Sequence, residues 1–288
     1  MTRDALATLA ADLRAEARRT NQRRLLVLHG ARDDCLDAAF TAVEAAGIAD
    51  EEVTLLSTFK GVRFERHRPK HASRLLGTTR EAVILDAFAE FSPSAVGQSV
   101  GAVDGGGLYV LLAPPLSAWP ERRDDFDESL AVPPFGLDDV SGRFRARFVD
   151  TLRRHPGVAI VAVGDDDGDS GGDGSDADEV ERDGLTGGDA PPPDPGPTTP
   201  TGSAFPAVAY ESCLTRDQSR ALSALESLRD PGSAVVVEAD RGRGKSSAAG
   251  LAAASLAVAG RDVVVTAPSF AGARALFGRA RALLAAVK

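Results

Sequence analysis

The first half of the chain alternates short apolar runs with amphipathic stretches. Residues 24–29 (RLLVLH) form an apolar run of strand length, and residues 34–46 place Leu36, Ala39, Phe40, Val43 and Ala46 at helical spacing before Gly47. Runs at 52–57, 82–86 (AVILD), 108–113 (LYVLLA) and 158–163 (VAIVAV) predict four more strands. Ser92-Pro93 has the chemistry of a helix start, a hydroxyl cap followed by a ring that needs no N–H partner. Residues 142–154 predict an amphipathic helix, with Phe144, Phe148 and Leu152 on one face among arginines. Strands that are apolar throughout and separated by helices predict a mostly parallel sheet covered on both sides.

The pattern stops at residue 164. Residues 164–205 hold almost no large apolar side chains, and the stretch APPPDPGPTTP favours extended polyproline-like backbone. A disordered acidic and proline-rich linker is expected there, with an acidic interaction tail as the sharper alternative. Alternation then resumes. A helix is expected over 215–228 with Thr215 as its cap, a strand over 233–238 (SAVVVE), and a glycine-rich turn over 240–244. An alanine-rich helix over 245–259, a strand over 261–266 (RDVVVT) and a helix over 270–287 follow. The expected organisation is therefore an α/β domain at 1–163, the linker at 164–205 and a second α/β domain at 206–288.

Charge sharpens this division. The chain carries 33 Lys and Arg against 42 Asp and Glu, a net −9. Twelve acids and one base fall between positions 164 and 205, so the remainder is nearly balanced and the acidic total does not exclude a nucleic-acid partner. Four lysines against 29 arginines fit a salt-adapted proteome or a GC-rich genome. No run of 18 uncharged apolar residues exists and residues 1–12 lack a signal-peptide core, which predicts a cytoplasmic protein without a membrane span. Cys35 and Cys213 have neither zinc-site clustering nor disulfide density and read as structural thiols. His29, His67, His71 and His155 are too scattered for a metal site.

One segment carries recognisable chemistry. Residues 237–247 read VEADRGRGKSS, nearly G-x-x-x-x-G-K-[ST], with Ala239 in place of the first glycine. An apolar run precedes it and a helix follows, which is the context a phosphate-binding loop needs. Gly242 and Gly244 permit turn conformations closed to residues with a Cβ, so that successive N–H groups converge on phosphate oxygens at a helix N-terminus. Lys245 is expected to reach the β- and γ-phosphates, and Ser246 to ligate Mg²⁺. Arg241 and Arg243 either assist or lie in solvent. Upstream, Gln218 sits just inside the 215–228 helix, where its amide could hydrogen-bond adenine. Downstream, Thr266-Ala267-Pro268 ends a strand in the manner of superfamily-1 helicase-like motors.

Taken together these segments resemble the N-terminal portion of the tRNA(Met) cytidine acetyltransferases. The resemblance is carried by 75–87 (LLGTTREAVILDA), Ser92-Pro93, 105–114 (GGGLYVLLAP), 147–152 (RFVDTL), 214–221 (LTRDQSRA), 239–250 (ADRGRGKSSAAG) and 264–276 (VVTAPSFAGARAL). It covers about 23–163 and 210–288, and the Arg-Gly-Arg-Gly-Lys-Ser stretch is its most specific part. It implies an N-terminal parallel-sheet α/β domain followed by the start of a RecD-like P-loop helicase or ATPase domain. It also implies formation of N4-acetylcytidine in RNA (tRNA at the wobble position, or rRNA) from acetyl-CoA, coupled to ATP hydrolysis, with no DNA partner. Carried onto this sequence, Gln218 would contact adenine, and Asp240, Arg241, Gly242, Arg243, Gly244, Lys245, Ser246, Ser247, Ala248 and Ala249 would form the ATP-binding loop.

The pattern departs from the family at several points. No acidic residue preceded by a strand follows Thr266, so no Walker B carboxylate can be named, and Asp86 precedes the loop. No arginine finger and no acetyl-CoA module are present, and two strands alone would leave a P-loop sheet with an unpaired edge. The expectation is a truncated reading of a longer protein, with acetyl-CoA handled downstream. Two alternatives remain open. One is a stand-alone nucleotide- or RNA-binding protein, in which Arg18, Arg19, Arg23, Arg24 and the basic run 63–71 contact phosphates or form a solvated loop. The other is a superfamily-1 helicase fragment.

Overall fold

The structure is a computed structural model that describes residues 3–61, 63–164, 178–191, 196–239, 243–267 and 270–287. The chain divides into two compact units, Met1–Pro191 and Pro192–Lys288.

The first unit is built on a seven-stranded sheet. Its elements in chain order are α1 (Asp4–Thr20), β1 (Arg24–His29), α2 (Arg32–Ala45), β2 (Val53–Leu56), β3 (Glu65–His67), β4 (Arg80–Asp86), α3 (Pro93–Ser99), β5 (Val103–Ala113), α4 (Asp125–Glu128), α5 (Arg143–Arg154), β6 (Val158–Ala162) and β7 (Glu179–Arg182). The strand order is β3-β2-β4-β5-β1-β6-β7, parallel everywhere except at β6–β7. The central strands are buried on both faces, as continuous Leu/Val/Ile runs require. Alternate residues then feed two cores. Leu26, Leu28, Ile84 and Val110 pack with α1 and α2. Val27, Val83, Leu85 and Leu111 face Trp119 and α5 residues Val149 and Leu152.

Ser92 caps α3 as expected, accepting from the Ala95 N–H at 3.1 Å. Helix α1 has no counterpart in the sequence-based assignment. Leu6, Leu9, Ala10, Leu13 and Ala17 recur at helical spacing and are buried, but Arg14 interrupts the stripe. Arg14 is itself buried and pairs with Glu81 at 2.6 Å, so a charge that reads as solvent-facing belongs to the core side.

The expected linker also differs. Residues 165–177 and 192–195 lie outside the described residues, but the stretch between them is not a bare linker. Strand β7 pairs antiparallel with β6, with Val161 opposite Val180. Beyond it, the buried Glu16 carboxylate accepts from the Thr186 N–H (3.1 Å), the Thr186 hydroxyl (3.0 Å) and the Gly188 N–H (3.3 Å). Arg182 donates to the carbonyls of Val158 (2.9 Å) and Leu152 (3.0 Å). Polar pairing, not apolar burial, orders this stretch, so an apolar count does not find it.

The second unit contains α6 (Ala207–Glu211), α7 (Arg216–Leu225), α8 (Lys245–Val258) and α9 (Phe270–Ala286). Phe205, Tyr210, Leu222, Leu251 and Leu283 share its core. Gly250 lets α8 meet α9, since a Cβ there would fall 2.4 Å from the Leu276 carbonyl oxygen. Phe205, at the end of the expected linker, is buried, and its N–H donates to Glu226 at 3.1 Å. The strands expected at 233–238 and 261–266 are not formed. Both stretches are described, neither pairs with a neighbour, and Val236 and Val264 are 91% and 87% exposed. A strand exists only through its ladder, and no partner for either stretch occurs among the described residues.

Candidate nucleotide-binding site

The N-terminus of α8 is built from Gly244, Lys245, Ser246 and Ser247. Gly244 is the N-cap and adopts φ 81°, ψ 17°, the left-handed region where glycine carries no steric penalty. Having no side chain, it offers no cap of its own. The first helical bond runs from the Ala248 N–H to the Gly244 carbonyl at 3.0 Å. The N–H groups of the residues before Ala248 thus stand at the helix N-terminus, ahead of its ladder. No acid occupies the first turn, so no side chain of that turn offsets the positive end of the helix dipole. Ser246 is exposed at the second helical position, and Arg243 is exposed just before the cap. Lys245 folds back so that its Nζ donates to the Ala239 carbonyl. Ala248 is buried and Ala249 half-buried on the inner side of the same turn. Asp240, Arg241 and Gly242 lie outside the described residues, as does Pro268 of the Thr-Ala-Pro stretch.

Helix α7 brings Gln218 to this turn. Thr215 caps α7 by accepting from the Gln218 N–H at 3.2 Å, which fixes the residue one turn into the helix. The Gln218 side chain is buried against Gly244, and a Cβ at position 244 would lie 2.0 Å from Gln218 Nε2. Gly244 is thus required twice, by its backbone angle and by Gln218. The two motif residues that lie twenty-six positions apart are in contact, as a shared site needs. Gln218 Oε1, however, already accepts from the Leu214 N–H at 2.7 Å, so a nucleobase contact through that oxygen would have to displace this bond.

The other candidate groups separate cleanly. Of the N-terminal arginines, Arg24 is buried beside Glu16 (3.4 Å), Arg23 donates to the Val103 carbonyl, and Arg19 to that of Gly188. Arg18 is the exception, exposed and 3.9 Å from Glu81. Most of this group holds the fold and is not available to phosphate. His29 Nε2 lies 3.0 Å from Glu181, and His67 lies 3.1 Å from Glu65. The His155 ring accepts from the Gly157 N–H at 3.2 Å. Among the described residues no group of His, Cys, Asp and Glu could hold a metal ion. Both cysteines are buried and free; burial and neighbouring carboxylates push the Cys35 thiol up to about 12, well away from a reactive thiolate. Among the described residues, no helix is long and apolar enough to cross a membrane.

One polar cluster was not anticipated. At the carboxyl end of the sheet, buried Asp86 accepts from Arg32 Nε (3.1 Å), the Ser57 hydroxyl (2.6 Å) and the Phe88 N–H (3.0 Å), while Arg32 also donates to Thr58 (2.8 Å). Its members come from three separate strand ends, so no local spacing could reveal it. Asp86 has its partners within the first unit.

Comparison with known proteins bears on both units. Residues 1–163 match the family described as tRNA(Met) cytidine acetyltransferase TmcA, N-terminal. Residues 236–288 match RNA cytidine acetyltransferase NAT10/TcmA, helicase domain. The chain is 59% identical over 276 residues to a protein of Haloferax volcanii named tRNA(Met) cytidine acetyltransferase TmcA, covering 96% of this chain and 35% of that one. It is 55% identical over 280 residues to the like-named protein of Haloarcula marismortui, covering 96% and 34%. The like-named protein of Thermococcus kodakarensis is 35% identical over 219 residues, covering 75% and 26%. The chain thus spans about a third of the length of the curated relatives it matches. The match over 1–163 speaks against the superfamily-1 helicase alternative. With an N-terminal α/β unit matched along most of its length and a helicase-type stretch beginning at residue 236, the chain belongs to the tRNA(Met) cytidine acetyltransferase TmcA family.

Proposed function

We propose that this chain supplies the nucleotide-binding turn of an ATP-dependent RNA cytidine acetyltransferase that forms N4-acetylcytidine, with tRNA as its RNA. The observation that carries the nucleotide reading is the α8 N-terminus: a left-handed glycine cap, no acid in the first turn, and Lys245 and Ser246 at its mouth. This donor set fits a polyphosphate. The amides of Lys245, Ser246 and Ser247 would bind phosphate oxygens, Lys245 would exchange the Ala239 carbonyl for a phosphate, and Ser246 would hold Mg²⁺. The metal would supply neutralisation of charge on the terminal phosphates. Gln218 fixes the glycine turn and borders the site. Acetyl-CoA and the acetyl-transfer step are assigned to no residue of this chain. RNA as substrate is inferred from the names of the relatives.

Titration calorimetry with Mg-ATP tests the reading. Binding to the parent chain should weaken at least tenfold in Lys245→Ala, which removes a charge-assisted contact, with helix content unchanged. Gly244→Ala should weaken it further, because the added Cβ collides with Gln218 and strains the cap. No Mg-ATP uptake by the folded parent chain, or equal uptake by Lys245→Ala, would overturn it.

A further inference from the structure

The basic run at 63–71 and the residues flanking it are not absorbed by the nucleotide site. Residues 60–74 hold six Lys or Arg and one acid, a local +5 in a chain of net −9. Two of the chain's four lysines, Lys60 and Lys70, are here. The structure divides the run. Arg63 pairs with Asp50 at 3.2 Å and lies over the Phe40 and Phe64 rings, Arg66 donates to the Ser57 carbonyl at 3.0 Å, and Arg68 is held by Glu90. These three shape the surface. Lys60, Lys70 and Arg74 are exposed and take part in none of the ion pairs among the described residues.

Topology places the free cations along one flank of the sheet. Lys60 follows the carboxyl end of β2. Lys70 and Arg74 lie on the 3-10 turn Pro69–Leu75, which follows the carboxyl end of β3. These two strands are parallel neighbours, so their carboxyl ends share one rim. The turn is rigid: Pro69, Ala72 and Leu75 are buried beneath it, which holds the basic side chains outward. His71, on the same turn, is held below its ordinary value by desolvation and by its cationic neighbours Arg74, Lys70, Arg68 and His67. Positive potential therefore accumulates at this turn instead of being cancelled in place.

We infer that the β2–β3 rim and the 69–75 turn form a docking surface for the phosphodiester backbone of RNA, with Lys60, Lys70 and Arg74 as its phosphate contacts. An array of unpaired cations on a rigid turn suits a polyanion with regularly spaced charges, and it positions RNA without reading its sequence. The choice of RNA among polyanions rests on the proposed function; the surface itself does not depend on the nucleotide site.

The test is the salt dependence of binding of the 288-residue chain to a fluorescein-labelled elongator tRNA(Met) transcript, read by anisotropy. Each lost phosphate contact lowers the slope of log K against log salt by about one. The variant Lys60→Ala/Lys70→Ala/Arg74→Ala should flatten the slope by about two to three, while the charge-preserving Lys60→Arg/Lys70→Arg/Arg74→Lys keeps it. Arg143→Ala/Arg147→Ala/Arg154→Ala removes as many charges from exposed α5 and should leave the slope unchanged. An unaltered slope in the first variant, equal flattening in the α5 variant, or no tRNA binding by the parent chain overturns the inference. Mg-ATP uptake measured on the same samples separates the two readings: its loss with RNA binding intact sinks the nucleotide site alone.

Discussion

Glu16 and His29 are two buried residues through which the first unit should respond to pH. Both sit where the 179–188 stretch meets the sheet. Burial alone would raise the Glu16 carboxyl, but the Thr186 hydroxyl and N–H and the Arg24 guanidinium outweigh it and hold it below the ordinary carboxylate range. Burial lowers His29, and the Glu181 carboxylate only partly restores it, so the ring is neutral at pH 7. The signs agree, but the windows differ. On acidification, unfolded His29 takes up a proton near 6.5 before the folded ring does, so stability falls from there through the lowered folded value. Unfolded Glu16 protonates near 4.5, ahead of its folded form, so a second loss begins there. Thermal midpoints of the parent chain should therefore fall in two steps as pH decreases. His29→Gln should shrink the upper step, to which His71 also contributes. Glu16→Gln should shrink the lower one and cost about 1–3 kcal/mol at neutral pH, because the buried donors and Arg24 exchange a carboxylate for a neutral amide. A midpoint that stays level from pH 7 to 4 would refute the assignment.

Elements that close a hydrogen-bond ladder behave differently from those that do not. The runs at 24–29, 82–86 and 158–163 are legible as strands because apolar length and a neighbour coincide, and each forms as β1, β4 or β6. Residues 233–238 and 261–266 have the same composition and remain extended without pairing, leaving Val236 and Val264 in solvent. β7 is the converse case, since EVER has no apolar run yet closes the edge of β6. Composition thus reports the capacity to be buried, whereas the ladder depends on what lies alongside, and only the first is written locally. The same distinction governs the site. Gly244, Lys245 and Ser246 follow from contiguous spacing, whereas the Arg32–Asp86–Ser57 cluster joins residues up to 54 positions apart and leaves no local trace. Exposed valine-rich segments with free backbone groups template pairing with other copies. The chain should therefore self-associate with increasing concentration. Val236→Lys/Val264→Lys should restore the monomer in sedimentation velocity without changing helix content. Unchanged association in that variant would move the sticky surface elsewhere.

At the scale of the whole molecule, each unit has its own apolar core, and each core has its own optical reporter. The single tryptophan, Trp119, is fully buried in the first unit among Phe91 (5.1 Å between ring centroids) and Phe148 (5.9 Å). The second unit is entirely helical in its regular structure among the described residues, and Tyr210 is buried in its core. A ligand bound only by the folded state stabilises it by about 2.7 kcal/mol at one hundred times its dissociation constant. In a unit of this size that is roughly a 10–20 °C rise in midpoint. If the α8 turn holds Mg-ATP, the rise belongs to the unit that contains Gly244 and Lys245. Far-ultraviolet circular dichroism should then show a transition that moves upward with Mg-ATP, while the Trp119 fluorescence midpoint stays in place. In Lys245→Ala the moving transition should stop responding at the same nucleotide concentration. A shift confined to Trp119 would assign the nucleotide to residues 1–191, where no glycine-capped, acid-free helix start among the described residues pairs with a lysine and a serine, and would remove the physical basis for reading the α8 turn as the ATP site.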